Sequence, residues 1–212
     1  MARRSAAQAA QTRRDILAAG ARVFSRSGIA GTSLEAVARE AGVTRGAIYW
    51  HFEGKRGLLA ALLSEQQLPI EQGLPADLTF ATGWAFLGEA LTQTLNDDMS
   101  RQLSKIMLHK SERIAGDSLV AARLEQIRSG FVERLRLLLQ VAVARGELDA
   151  RLDIDRASDM CRTSVSGLLF ECLHAANSNP GQACAMLETL RYLLLNPPTH
   201  WLRPPGAPAS GA

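Results

Sequence analysis

The stretch GVTRGAIYWHF, residues 42–52, gathers side chains suited to a polyanion. Thr44 can donate its hydroxyl to a phosphate. Arg45 offers a planar fork of donors that matches a phosphate or a guanine edge. Tyr49 can set its hydroxyl on a phosphate or its ring against a thymine methyl, and His51 can add a further phosphate contact. Lys55 follows at the expected start of the next helix, where free amides and the helix dipole also favour a phosphate. Gly46 costs roughly 1 kcal/mol relative to alanine inside a helix, a cost with a reason if the backbone must lie close to a partner. Ile48 and Phe52 point the other way and lock the short helix to its neighbours. Trp50 fits either the surface or a DNA backbone. A small core would account for Ile48 and Phe52, but poorly for Arg45, Gly46, Tyr49 and Lys55 within so short a span.

The elements that must position this stretch are helices. Ile16, Leu17, Gly20, Val23 and Phe24 share one helical face, and Gly28 stops that helix. Thr32-Ser33-Leu34-Glu35 has the form of a capping box on Thr32, followed by a short helix with Leu34, Val37, Ala38 and Ala41 inward. Gly42 breaks it, and Thr44 caps a brief helix to about Trp50. Another helix begins near Lys55 and runs to Pro69 or Pro75. The middle pair with its glycine turn is a helix-turn-helix pattern. Such a unit places the N-terminal residues of its second helix at base edges in the major groove.

The rest of the chain predicts longer helices over 77–96, 99–110, 117–146, 153–176 and 180–195, with no alternating strand pattern. The fold expected is therefore all-α. Three units are expected: 1–55 as a helix-turn-helix domain, 56–196 as a larger helical domain, and a disordered proline-rich tail over 197–212.

Charge follows the same division. The 212 residues carry 24 Lys and Arg against 21 Asp and Glu, a net charge of +3. Up to residue 60 there are ten basic against four acidic residues, so the positive excess sits in the first segment. That is the footprint of a polyanion-binding head on a nearly neutral body, although a solvated basic surface would look the same.

Here the chain resembles a known family. FSRSGIAGTSLEAVAREAGVTRGAIYWHFEGKRGLL is similar to the N-terminal DNA-binding segment of TetR-type transcriptional regulators, without gaps from about Thr12 to Leu63. GVTRGAIYWHF is similar to the AcrR- and TtgR-like subgroup, local repressors of multidrug efflux pumps, as is IMLHKSE at residues 106–112. The resemblance implies an all-helical homodimer that binds a palindromic double-stranded DNA operator. It implies a C-terminal domain that binds a small molecule, dimerises through its last two helices and releases DNA when ligand moves the fourth helix. By position it implies that Thr32, Thr44, Arg45, Gly46, Tyr49, His51 and Lys55 touch DNA. Gly57, early in that fourth helix, departs from the larger residues of the family.

In the body, the last two helices are apolar on more than one stripe, which calls for burial on several sides. A four-helix interface between two copies meets that need, and so does burial within one chain. Trp84, Phe86, Ser104, Met107, Leu108, Phe131, Leu135, Cys161, Val165, Ser166 and Leu169 face the middle of the body by period. They mix large apolar groups with a few polar ones, as a small-molecule site does and as an ordinary core does. An efflux-type repressor would take a small hydrophobic inducer there.

No catalytic motif, metal-ligand spacing or phosphate loop occurs, so an enzyme is not expected. Asp149, Asp153 and Asp155 cluster at a helix start, where acids are structural. Cys161, Cys172 and Cys184 form no CxxC pair and read as reduced thiols. With no run of about 18 apolar residues and no apolar leader, the expected setting is cytoplasmic, without cofactor or membrane. Two rivals stay open: a redox- or stress-sensing DNA-binding regulator without an organic inducer, and a helix-turn-helix that serves protein contact.

Overall fold

In a computed structural model of the chain, residues 6–110, 118–174 and 180–204 are described. The end of the expected helix over 153–176, the second half of IMLHKSE and the tail beyond residue 204 lie wholly or partly outside them. Nine helices are described: α1 (Ala6–Gly31), α2 (Leu34–Glu40), α3 (Arg45–His51), α4 (Gly54–Glu65), α5 (Phe80–Asn96), α6 (Asp98–Lys110), α7 (Ser118–Ala144), α8 (Ile154–His174) and α9 (Pro180–Leu195). Among the described residues there is no strand, only an isolated bridge between Leu152 and Leu202. The chain groups into two compact units, 1–67 with 97–124 and 68–96 with 125–212. This grouping differs from the expected cut at residue 55, because α4 and α6 fall with the N-terminal helices.

In the first unit, α1 carries Ile16, Leu17, Val23 and Phe24 into the core, and α4 meets them with Leu58, Leu59, Leu62 and Leu63. Gly20 allows the approach: a Cβ there would lie 3.2 Å from Leu58 Cδ2. Val37 and Ala38 of α2, Ile48 of α3, and Leu103, Ile106 and Met107 of α6 complete this core. Gly28 kinks α1 at φ 72°, as its expected role as a stop requires, and one further turn follows. Arg13 pairs with Glu65 across α1 and α4, and its guanidinium lies 4.9 Å from the Phe52 ring centre. Helix α4 ends at Glu65, earlier than expected, and the chain then runs extended at Gln66 and at Leu68 before Pro69.

In the second unit, Phe80, Trp84, Leu87 and Leu91 of α5 join Leu135, Leu138 and Leu139 of α7, Cys161 and Leu168 of α8, and Leu187, Leu190 and Leu194 of α9. A Cβ on Gly83 would collide with Leu138, so glycine sets the close packing of α5 on α7. Gly146, at φ 74°, closes α7: its successor Glu147 donates to Ala142 O at 2.8 Å. The acidic cluster is structural here. Asp153 accepts from Arg156 N at 3.1 Å to cap α8, while Asp149 pairs with Arg151 and Asp155 with Arg136.

The expected disordered tail is corrected over residues 197–204. Thr199–Trp201 forms a 3-10 turn, Trp201 is 2% exposed within the core, and Arg203 N donates to Arg151 O at 2.8 Å. Prolines exclude a long helix but not a docked extended strap, and the indole supplies the apolar area that holds it.

Candidate nucleic-acid interface

The turn between α2 and α3 is built from Gly42, at φ 67°. Val43 N donates to Ala38 O at 3.0 Å and Gly42 N to Arg39 O at 3.2 Å, the paired bonds that end a helix on a left-handed residue. Thr44 then caps α3, its Oγ1 accepting from Ala47 N at 3.2 Å. An accepting hydroxyl keeps its own proton for another partner. The buried Ile48 and Phe52 hold α3 against the core and so turn its other face outward.

That face carries Thr44, Arg45, Gly46, Tyr49 and Trp50 together. Tyr49 is 52% and Trp50 73% exposed. Exposure of two large rings side by side has no folding benefit. Arg45 Nη2 donates to Tyr49 Oη at 3.1 Å, and its guanidinium lies 5.5 Å from that ring. On its other side Arg45 pairs with Glu35 of α2 at 2.5 Å. These partners raise the Arg45 pKa further above its ordinary value, Tyr49 first and then Glu35. Around Gly46, a Cβ would meet nothing closer than Thr44 Oγ1 at 3.8 Å. No internal contact requires glycine there. His51 is half-buried, edge-on to Trp50 with centroids 4.4 Å apart.

Two expected contact residues are engaged elsewhere. Thr32 is 4% exposed, and its hydroxyl donates to Gly28 O at 2.6 Å. The N-cap of α2 is Ser33, whose Oγ accepts from Ala36 N at 3.1 Å. The expected cap is thus displaced by one residue, because the turn after Gly28 absorbs Thr32, and with Ala36 at the third helical position no capping box closes. Lys55 Nζ donates to Ile29 O, Ala30 O and Thr32 O at 2.9, 3.4 and 3.0 Å, which uses its three protons.

The basic excess is also partly neutralised. Arg22 and Arg26 share Glu40, and Arg13 takes Glu65. Hydrogen bonds from these arginines hold both carboxyls below the usual glutamate range. Arg39 and Arg56 are exposed cations that sequence reasoning did not single out. Glu35 was expected only as the acid of a capping box on Thr32, and its approach to Arg45 is a tertiary contact that no local pattern announces.

The expected effector residues divide between the two units. Trp84, Phe131, Leu135 and Cys161 belong to the second core, with Phe86, Val165 and Leu169 packed against it and Ser166 half-buried on α8. Ser104, Met107 and Leu108 lie on α6 in the first unit, the first two buried. Of these candidates, Trp84 lines a groove of about 530 Å³ between α5 and α9, beside Gly88, Thr92, Ala183 and Cys184. Its indole Nε1 is buried without a hydrogen-bond partner among the described residues. Those residues include no group of His, Cys, Asp or Glu placed to hold a metal, and no helix long and apolar enough to cross a membrane.

A glycine-turned helix pair with an exposed Arg and Tyr on its second helix defines a helix-turn-helix protein. Comparison with known proteins agrees. The family described as "Bacterial regulatory proteins, tetR family" matches residues 16–62, and "MAATS-type transcriptional repressor, C-terminal region" matches residues 85–190. The chain is 33% identical over 198 residues to the transcriptional regulator SrpR of Pseudomonas putida, covering 93% of this chain and 92% of that protein. It is 34% identical over 178 residues to the transcriptional regulator TtgR, also of Pseudomonas putida, covering 80% and 83%. Among solved structures it is similar to NalD, described as the secondary repressor of the MexAB-OprM multidrug efflux pump in Pseudomonas aeruginosa. That match has a TM-score of 0.69 and 28% identity over 89% of this chain and 98% of that one. MexZ of the same organism matches with a TM-score of 0.72 and 26% identity over 92% and 99%. The chain belongs to the TetR family of bacterial transcriptional regulators.

Proposed function

We propose that the protein is a repressor that binds a palindromic operator as a homodimer, controls a multidrug efflux operon and leaves DNA when a small hydrophobic molecule binds. The observation that carries the DNA reading is the exposed face of α3, where Arg45, Tyr49 and Trp50 stand out from a helix anchored by Ile48. In this reading Thr44, Arg45, Gly46, Tyr49 and His51 meet DNA, while Thr32 and Lys55 hold the frame from behind. The efflux assignment is supported by relatives such as NalD, whose description names a multidrug pump. No catalytic activity or cofactor is assigned, and the setting is the cytoplasm, where the DNA lies.

The dimer reading is supported by apolar side chains left exposed on the last two helices: Met160 and Phe170 of α8, Met186, Tyr192 and Leu195 of α9. The organic-inducer reading is favoured over redox sensing by the thiols. Burial pushes Cys161 up to about 12, and burial with the nearby Glu171 carboxylate raises Cys172, so neither is an activated thiolate. Residues 1–55 are taken as the DNA-binding domain and 56–196 as the effector and dimer domain.

Electrophoretic mobility shifts on the DNA upstream of the gene test this. Release by hydrophobic aromatic drugs, with peroxide inactive, is the expected result. Release by peroxide alone, abolished in Cys161→Ser or Cys172→Ser, would replace the organic inducer with a redox signal.

A further inference from the structure

Glu35 and Arg45 sit on different helices, each within the first two positions of its own. The Glu35 carboxylate lies 2.5 Å from Arg45 Nη1, while Arg45 Nη2 donates to Tyr49 Oη. Both side chains of the ion pair are more than half exposed, at 57% and 56%. Exposed pairs contribute little to folding, so the effect of this pair falls on what Arg45 can do.

Arginine reads two targets by different physics. A phosphate attracts its charge, whatever the sequence. A guanine edge is matched by its pattern of donors. A guanidinium has five N–H groups, and Glu35 with Tyr49 occupies only part of that set. The remaining donors are the Nε–H and one N–H on each terminal nitrogen, while the neighbouring carboxylate cancels the local charge and repels phosphate. Tyr49 fixes the guanidinium from the other side, 5.5 Å from its ring centre.

We propose that Glu35 is a specificity-determining positioning residue: its carboxylate neutralises and orients Arg45, so that the arginine favours a guanine edge over a phosphate. The inference rests on the reading of α3 as the DNA-facing helix.

The test uses the full chain as wild type, Glu35→Gln, Arg45→Ala and the double variant. Two probes are titrated across a salt series: a palindromic duplex that the wild type selects from a randomised duplex pool, and the unselected pool. Glu35→Gln is expected to bind the pool about three- to ten-fold tighter, with a salt slope steeper by about one. Its gain on the selected duplex is smaller, so the ratio between the probes falls. In the Arg45→Ala background the same change leaves the ratio alone, because the effect runs through Arg45. An unchanged ratio in Glu35→Gln, or a fall that persists without Arg45, would overturn the proposal. A wild type that enriches no palindrome would overturn the DNA reading itself, a distinct result.

Discussion

The Lys55 ammonium donates to the carbonyl oxygen of Thr32 at 3.0 Å and so ties the start of α4 to the segment that leads into α2. With its bonds to Ile29 and Ala30, the side chain gathers carbonyls at the kinked end of α1. A cation there also suits the negative end of the α1 dipole.

Lys55→Met is therefore expected to destabilise the protein by about 1–3 kcal/mol, since carbonyls lose charged donors in a part-buried site. Urea unfolding checks the magnitude. Operator affinity should fall through the displaced helix pair, with the salt slope unchanged. A slope shallower by about one would instead mean that Lys55 neutralises a phosphate.

Gly46→Ala separates folding from binding. The surroundings leave room for a methyl group and alanine favours the helix, so stability should rise by up to about 1 kcal/mol. Operator binding should fall about tenfold or more if the backbone lies against DNA. Thermal melts and mobility shifts on one preparation give both signs. Unchanged operator binding would remove Gly46 from the interface.

Acid should weaken the N-terminal unit. Hydrogen bonds from Arg22 and Arg26 lower Glu40, and one from Arg13 lowers Glu65. A carboxyl depressed in the folded state contributes stability that is fully present above its unfolded pKa of about 4.3 and lost as pH falls through the folded value. The melting temperature should be flat from about pH 7 to 5 and drop below about pH 4. All three pairs are partly exposed, so salt should shrink the effect.

Trp201→Ala is expected to cost about 3–5 kcal/mol, as for other buried aromatic truncations. The strap it anchors also carries Asp153 N to Trp201 O at 2.8 Å, at the cap of α8. Calorimetry on this variant and on a chain ending at residue 196 should show similar losses. A melting temperature equal to wild type would leave the strap without a structural role.

Much of this was legible because the signals were local. Helical period and glycine breaks located the long helices, and Gly42, Thr44 and Ile48 marked the recognition unit. What escaped depends on contacts between distant segments. Thr32 lost its capping role to Ser33 because one more turn follows the Gly28 kink. Residues 197–204 look disordered by composition, yet Trp201 finds a core made by other helices. Glu35 reaches Arg45 only once α2 and α3 are set at their angle. The effector candidates were mostly apolar residues on inward faces with a few polar ones among them, and that pattern alone cannot separate a binding site from the core most of them join.

The central claim is that α3 reads an operator. The most direct measurement is a footprint on the DNA upstream of the gene, across a salt series, with wild type and Tyr49→Ala. The account predicts a protected palindrome for wild type, with affinity falling steeply with salt. It predicts loss of protection in Tyr49→Ala, with stability within about 0.5 kcal/mol of wild type, because Tyr49 is exposed. Equal protection by both proteins would contradict it.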